Sequence, residues 1–152
     1  MLIKKIQKKS ADPFVYLHGT KITDYEKIPT VGQKIMDGIN RLVRTQKIEP
    51  TGPAIWSYTP AGKGKLKLRA GVPVKKGTRG KTPFSAKSEP EWTCLSAEYK
   101  GPMTQIINAW FELFEAAEKK GIELRDDRRE IYRKWVGVDS KENVTELQIR
   151  LK

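Results

Sequence analysis

Glu130 and Tyr132 are the residues whose types and spacing point most directly to chemistry, because a single residue separates a carboxylate from a phenol. Residues 129–136 are rich in β-forming types, and alternate residues of a strand point to the same face. A carboxylate that faces aromatic side chains is costly unless it is protonated or meets a cation. The pattern therefore makes Glu130 a candidate ligand-binding group. The alternative interpretation is a surface ion pair with one of the basic neighbours Arg129, Arg133 and Lys134.

Three aromatic residues extend this candidate site. Trp56 and Tyr58 are predicted to share one face of a strand at 54–59, and Trp110 falls on the apolar side of a predicted helix. Aromatic faces bind cations and flat apolar molecules, which suits a site built around a carboxylate. Ordinary core packing remains the alternative interpretation for all three residues, and it is the favoured one for Trp110.

The remaining reactive residue types give little support for other chemistry. His18 is the only histidine and Cys94 the only cysteine. Without clustered acidic ligands, no metal site and no cofactor are predicted, and His18 is interpreted as a strand-end residue. Cys94 has no partner for an internal disulfide, which fits a reducing compartment. Glu146 is interpreted either as a pocket residue or as the partner of Arg69.

The elements that must position these residues occur in a repeated order. Residues 92–99 predict a strand, and Gly101 and Pro102 separate it from a helix that begins near Met103 and ends at Gly121. Its apolar stripe comprises Ile106, Ile107, Trp110, Leu113, Phe114 and Ala117. An earlier helix opens at Pro29, with Gly32 and Gly38 lowering its helix propensity.

Strand, helix, strand, strand is therefore predicted twice, over about 13–74 and about 92–151, with a basic connector at 75–91 between the copies. We predict a single α+β domain over residues 1–152, a duplicated β-α-β-β fold with pseudo-twofold symmetry. Two helices are expected to pack on one face of an antiparallel sheet to which each half gives three strands. A central ligand groove is expected between the halves.

Five short pieces of this sequence resemble, in order and spacing, the GyrI-like (gyrase-inhibitor-like) family, the effector-binding domain of AraC-type and MerR-type bacterial transcription activators. They are residues 52–58 (Gly-Pro-Ala-Ile-Trp-Ser-Tyr), 69–74 (Arg-Ala-Gly-Val-Pro-Val), 99–103 (Tyr-Lys-Gly-Pro-Met), 130–132 (Glu-Ile-Tyr) and 145–149 (Thr-Glu-Leu-Gln-Ile). The resemblance implies the same duplicated fold and a central pocket for lipophilic, often cationic, compounds. It also implies that Glu130, beside Tyr132, is the anion of that pocket.

Two departures from the family pattern concern the rim of the pocket. Asp-Pro is common in the family soon after the Glu-x-Tyr piece, where this chain has Arg133, Lys134 and Trp135. The closing strand carries Arg150 where the family usually has proline.

Some relatives are similar to hydrolases that open strained cyclopropane-containing toxins with the same glutamate.

These residues predict a stand-alone protein, with no room for a separate DNA-binding domain, that binds a lipophilic, drug-like or toxin-like molecule. The predicted ligand contacts are Trp56, Tyr58, Trp110, Glu130 and Tyr132. The enzyme alternative is a hydrolase of strained electrophiles, with Glu130 as general base or nucleophile and Tyr132 as proton donor or orienting partner. Binding is preferred because the chain offers no other convincing general acid or nucleophile.

Charge composition leads to a third hypothesis. The formal net charge is +12 and the pI about 9.8, which favours polyanions in general. Residues 61–88 carry nine Lys and Arg and no acidic residue. A weak, non-specific nucleic-acid contact is one interpretation, and a solvated hairpin and connector is the preferred one. No signal peptide or membrane-spanning run is recognised, so a cytoplasmic protein without a membrane partner is expected.

Overall fold

A computed structural model describes residues 1–152. The chain forms two compact units. We call residues 12–91 the continuous unit, and residues 1–11 with 92–152 the split unit. Each unit is a four-stranded antiparallel sheet with one long helix, which confirms the predicted α+β class. No helix combines the length and the apolar character that crossing a membrane requires.

The elements follow the predicted order with two additions. In chain order they are β1 (Ile3–Ala11), β2 (Phe14–Asp24), α1 (Ile28–Thr45), β3 (Ile55–Gly62), β4 (Lys65–Val74), β5 (Ser85–Glu89), β6 (Trp92–Lys100), α2 (Ile106–Lys119), β7 (Leu124–Lys134) and β8 (Val144–Leu151). The two copies of strand, helix, strand, strand are β2-α1-β3-β4 and β6-α2-β7-β8. The strand order is β5-β2-β4-β3 in the continuous unit and β1-β6-β8-β7 in the split unit.

Strands β1 and β5 were not predicted, so each sheet has four strands where three were expected. β1 reads Ile-Lys-Lys-Ile-Gln-Lys-Lys-Ser-Ala and β5 reads Ser-Ala-Lys-Ser-Glu, and neither carries an alternating apolar pattern. Both are edge strands, where lysine is common because it discourages pairing with other chains. Each extra strand pairs with the first strand of the other copy. β1 lies next to β2 in sequence but pairs with β6, and β5 lies next to β6 but pairs with β2.

The core of the continuous unit lies between α1 and its sheet. Ile35, Ile39 and Leu42 of the helix pack on a layer that includes Leu17 and Leu68. Burying such side chains stabilises the fold by roughly 1.5–3 kcal/mol each.

Three glycines make close packing possible in this unit. A Cβ on Gly32 would lie 2.3 Å from the ring of Trp56, and one on Gly38 would lie 2.3 Å from the ring of Phe84. Gly32 and Gly38 lower the helix propensity of α1, but they let two aromatic rings lie against its backbone. β2 continues past Gly19 to Asp24, and a Cβ on Gly19 would lie 2.7 Å from Ile35. His18 is consequently a mid-strand residue, not a strand-end residue.

The split unit packs α2 on its own sheet. Trp110, Leu113 and Ala117 are buried against Leu95 and Leu147. Ile107 was placed in the apolar stripe, but it is 64% exposed, because it lies one residue around the helix from the buried face. The helix proper begins at Ile106, after a short 3-10 turn at Met103–Gln105.

Strand β7 differs from its predicted extent. It begins at Leu124, before the predicted start at residue 129, and it ends at Lys134. The longer strand places Arg128 on the same face as Glu130 and Tyr132.

Candidate functional site

The carboxylate of Glu130 is held by two aromatic donors in the split unit. The indole Nε1–H of Trp110 donates to Glu130 Oε2 at 2.7 Å, and the hydroxyl of Tyr132 donates to Glu130 Oε1 at 2.7 Å. Glu130 is only 4% exposed. Because α2 lies on the face of the sheet to which Glu130 points, a helix residue and a strand residue fix the carboxylate from two sides. We call these three residues the Glu130 cluster.

Aromatic and cationic groups surround the Glu130 cluster. The rings of Trp110 and Phe114 stack with their centroids 5.8 Å apart. The Arg128 guanidinium carbon lies 5.7 Å from the centroid of the Trp110 ring and 5.8 Å from that of Phe114. Trp135, which is half exposed, meets Tyr132 edge to face at 5.7 Å. The structure thus combines a buried, hydrogen-bonded carboxyl group with aromatic faces of the kind that attract cations.

The alternative of a surface ion pair does not describe Glu130, because the residue is buried. The three basic neighbours have contacts away from this cluster. Arg133 lies 2.7 Å from Glu146, Lys134 lies 3.5 Å from Glu142, and Arg129 Nε donates to Gln148 Oε1 at 2.6 Å. Arg129 and Glu130 point to opposite faces of β7, which explains why adjacent residues join different networks.

A second polar network occupies the opposite face of the split unit's sheet, centred on Glu146. Its carboxylate accepts hydrogen bonds from Lys9, Arg133, Ser96 and Gln148, at 2.5–3.2 Å. Burial would raise the pKa of the Glu146 carboxyl, but the hydrogen bonds from Lys9, Gln148 and Arg133 outweigh burial and lower the pKa to about 2.

Glu146 does not pair with Arg69 as one interpretation expected. Arg69 instead lies 2.7 Å from Glu89 and donates to Ser57 at 3.1 Å. Sequence reasoning missed Lys9 and Glu89 because both lie on or at the end of the two unpredicted strands, so no register existed to place them.

The other predicted site residues lie in the continuous unit. Trp56 is partly buried, with its ring against Gly32 of α1, and Tyr58 is buried in the core. Both share the face of β3 that meets the helix. The contact of Trp56 and Tyr58 with a ligand stays a prediction.

His18 and Cys94 are buried in the sheets. The His18 ring stacks on Tyr16 at 4.7 Å, and its Nδ1 lies 3.1 Å from the Tyr16 carbonyl oxygen. Burial lowers the pKa of His18, which favours the neutral ring near neutral pH. Burial raises the pKa of the Cys94 thiol, which disfavours the reactive thiolate. No group of three or more His, Cys, Asp or Glu side chains is arranged to hold a metal ion.

Comparison with known sequences identifies a family. The family model described as the GyrI-like small molecule binding domain matches residues 5–152. No curated protein sequence matches the chain.

Solved structures share the fold at low sequence identity. The EcmrR C-terminal domain is 20% identical with a TM-score of 0.79, over 100% of this chain and 99% of that chain. SAV2435, solved bound to tetraphenylphosphonium, is 10% identical with a TM-score of 0.74, over 98% and 94% of the two chains. A hydrolase from Listeria innocua is 11% identical with a TM-score of 0.62, over 97% and 92%. At such identities the likeness concerns the fold alone.

Proposed function

The chain belongs to the GyrI-like family of small-molecule-binding domains, and we propose that it binds a lipophilic or aromatic molecule, preferentially a cation, at the Glu130 cluster. One observation carries the proposal: a buried carboxylate is fixed by the Trp110 indole and the Tyr132 hydroxyl. Both donors are neutral side chains that orient the carboxylate. A ligand cation placed beside it gains Coulomb energy that is larger in a partly desolvated site than in water.

Aromatic residues complete the proposed recognition. Trp110, Phe114 and Tyr132 offer ring surface next to the charge, and a cation over such a ring gains roughly 0.5–2 kcal/mol. The tetraphenylphosphonium bound by SAV2435 is a lipophilic aromatic cation, and it supports this ligand class for the present chain.

Calorimetric titration with tetraphenylphosphonium tests the proposal, with triphenylphosphine oxide as a neutral aromatic control. Glu130→Gln keeps the side-chain shape, and Tyr132 can accept a hydrogen bond from the new amide. We expect this substitution to weaken binding of the cation by about tenfold or more, with little change for the neutral compound. Glu115→Gln removes one negative charge from the exposed side of α2 and serves as the matched control. Equal affinity of wild type and Glu130→Gln for the cation would contradict the site.

Hydrolysis is the second candidate, favoured by one contact. The hydroxyl of Tyr132 lies 2.7 Å from Glu130 Oε1, a distance that permits proton transfer between a general base and a phenol. In this reaction Glu130 would activate water or attack the electrophile, and Tyr132 would donate a proton to the leaving atom. The test is turnover of a cyclopropane-fused dienone. Saturable product formation that is lost in Glu130→Gln supports catalysis, whereas tight binding without product rules it out.

A further inference from the structure

The continuous unit contains an open cleft of about 1070 Å³ that no residue of the Glu130 cluster lines. One wall is the turn that follows α1, residues 46–51, and the other is the segment 75–81 after β4. The walls are joined at their base, because the Thr51 N–H donates to the Pro73 carbonyl at 2.9 Å and Pro50 bridges to Val74. The cleft is therefore built on the sheet itself.

Four cationic side chains line this cleft: Lys47, Lys75, Arg79 and Lys81, with Glu49 as its one acidic residue. All four are exposed, and none forms an ion pair. Other cations of the same basic run are paired, since Lys65 meets Asp24 and Arg69 meets Glu89. Four cations that converge on a cleft with a single acidic residue create a net positive potential that attracts an anion.

The charge of the whole unit reinforces this local potential. Residues 12–91 carry fifteen Lys and Arg against seven Asp and Glu, a net charge of +8 out of the chain's +12. Most of the attraction for polyanions that composition predicted is therefore concentrated in the unit that bears the cleft.

Lys47 places one of the cleft cations in a strained backbone conformation. It follows the last turn of α1 with a φ of 51°, the left-handed conformation in which glycine is the usual residue. The Gln46 and Ile48 N–H groups cap the helix carbonyls of Leu42 and Val43, as in a common helix ending. The capping does not need a lysine side chain, so glycine can replace Lys47 without loss of these hydrogen bonds.

We propose that this cleft binds a phosphate ester of nucleotide size, either free or as one unit of a nucleic-acid strand. The volume matches that of small-molecule sites. Arg79 can bind phosphate oxygens with two parallel N–H groups, and Lys47, Lys75 and Lys81 add point charges. Ile48, which is partly exposed, provides apolar surface for a base.

The test is fluorescence titration with a labelled nucleoside triphosphate and with a short single-stranded DNA, each at low and at physiological salt. The double variant Arg79→Gln/Lys81→Gln removes two cleft charges. Lys63→Gln/Lys67→Gln is its matched control, since it removes two charges from the same basic run outside the cleft. We expect the cleft variant to weaken binding by about tenfold or more and the control by less than about threefold. The better of the two probes identifies whether the ligand is free or part of a strand.

A second variant separates binding from folding. Lys47→Gly places glycine at a left-handed position, so we expect its melting temperature to rise while its affinity for the same probe falls. Charge-preserving replacement, Arg79→Lys/Lys81→Arg, should retain most of the affinity. Equal losses in the cleft and control variants, or no binding of either probe at low salt, would overturn the proposal.

Discussion

Gly32 and Trp110 hold the same position in the two helices, each being the fifth residue of its helix. Each also meets the residue that points towards it from the strand after the helix, namely Trp56 for Gly32 and Glu130 for Trp110. In the continuous unit this position lets an aromatic ring lie on the helix. In the split unit the aromatic ring is on the helix and a carboxylate is on the strand. The same contact of the repeated fold thus packs an aromatic ring against the helix in one copy and holds a carboxylate in the other.

Trp110→Phe removes the indole donor and keeps an aromatic ring. Glu130 Oε2 then loses its 2.7 Å hydrogen bond inside a buried site, so we expect a loss of roughly 1–3 kcal/mol in the free energy of unfolding. Urea denaturation of both proteins measures the change. Phe111→Tyr, on the exposed side of the same helix, should leave stability within about 0.5 kcal/mol. An unchanged midpoint for Trp110→Phe would show that the hydrogen bond contributes nothing.

Arg128→Gln is expected to increase affinity for a lipophilic cation. The guanidinium of Arg128 lies over the rings of Trp110 and Phe114, where it competes with a bound cation and repels it. Removal of this charge should strengthen cation binding by about three- to tenfold and leave a neutral aromatic compound nearly unaffected. Arg125→Gln, an exposed residue near the start of the same strand, is the matched control. Weaker cation binding by Arg128→Gln would mean that this side chain helps to form the site.

Gly38→Ala should destabilise the protein although alanine is the better helix former. Its Cβ would lie 2.3 Å from the ring of Phe84, so the ring must leave its place on the helix. We expect a net loss of about 1–2 kcal/mol, after the gain of about 1 kcal/mol in helix propensity. In a Phe84→Ala background the same substitution should stabilise instead. A loss of equal size in both backgrounds would disprove the explanation.

Stability should fall in acid because of Glu146. Its folded-state pKa of about 2 lies below the ordinary value of 4.5, so its contribution is complete above pH 4.5 and is lost as the pH falls towards 2. The loss is up to about 3 kcal/mol. Chemical denaturation at several pH values measures it.

The control for this pH dependence is Glu146→Gln. Asp24, whose pKa the hydrogen bond from Lys65 also lowers, contributes to the acid slope of both proteins, so the difference between the two curves isolates Glu146. Curves that remain parallel between pH 4.5 and 2 would contradict the prediction.

Sequence patterns predicted the repeated elements well because those elements carry strong signals. The apolar stripe of α2 and the alternation of β8 reflect burial on one face, and the shared face of Glu130 and Tyr132 follows from strand geometry alone. The place of Trp110 on the helix was also predicted, but not the hydrogen bond that it donates to Glu130. A donor and its acceptor that lie on different elements become neighbours only through packing, which periodicity does not encode.

The two strands that were not predicted, β1 and β5, were missed for one physical reason. β1 and β5 are held mainly by backbone hydrogen bonds to β6 and β2, and their side chains are largely polar, so hydrophobic alternation gives no sign of them. Arg128 was missed as a neighbour of Trp110 because β7 begins before the apolar part of its sequence. Lys9, which pairs with Glu146, and Glu89, which pairs with Arg69, lie on these same unpredicted strands.

The pairing of β1 with β6 has a consequence for synthesis on the ribosome. β1 is made before its partner β6, which begins at Trp92, so it remains unpaired while the whole continuous unit is translated. At typical translation rates this delay is on the order of ten seconds. A nascent strand that must wait so long benefits from being soluble by itself. The four lysines of β1 keep it hydrated and discourage premature pairing with a neighbouring nascent chain.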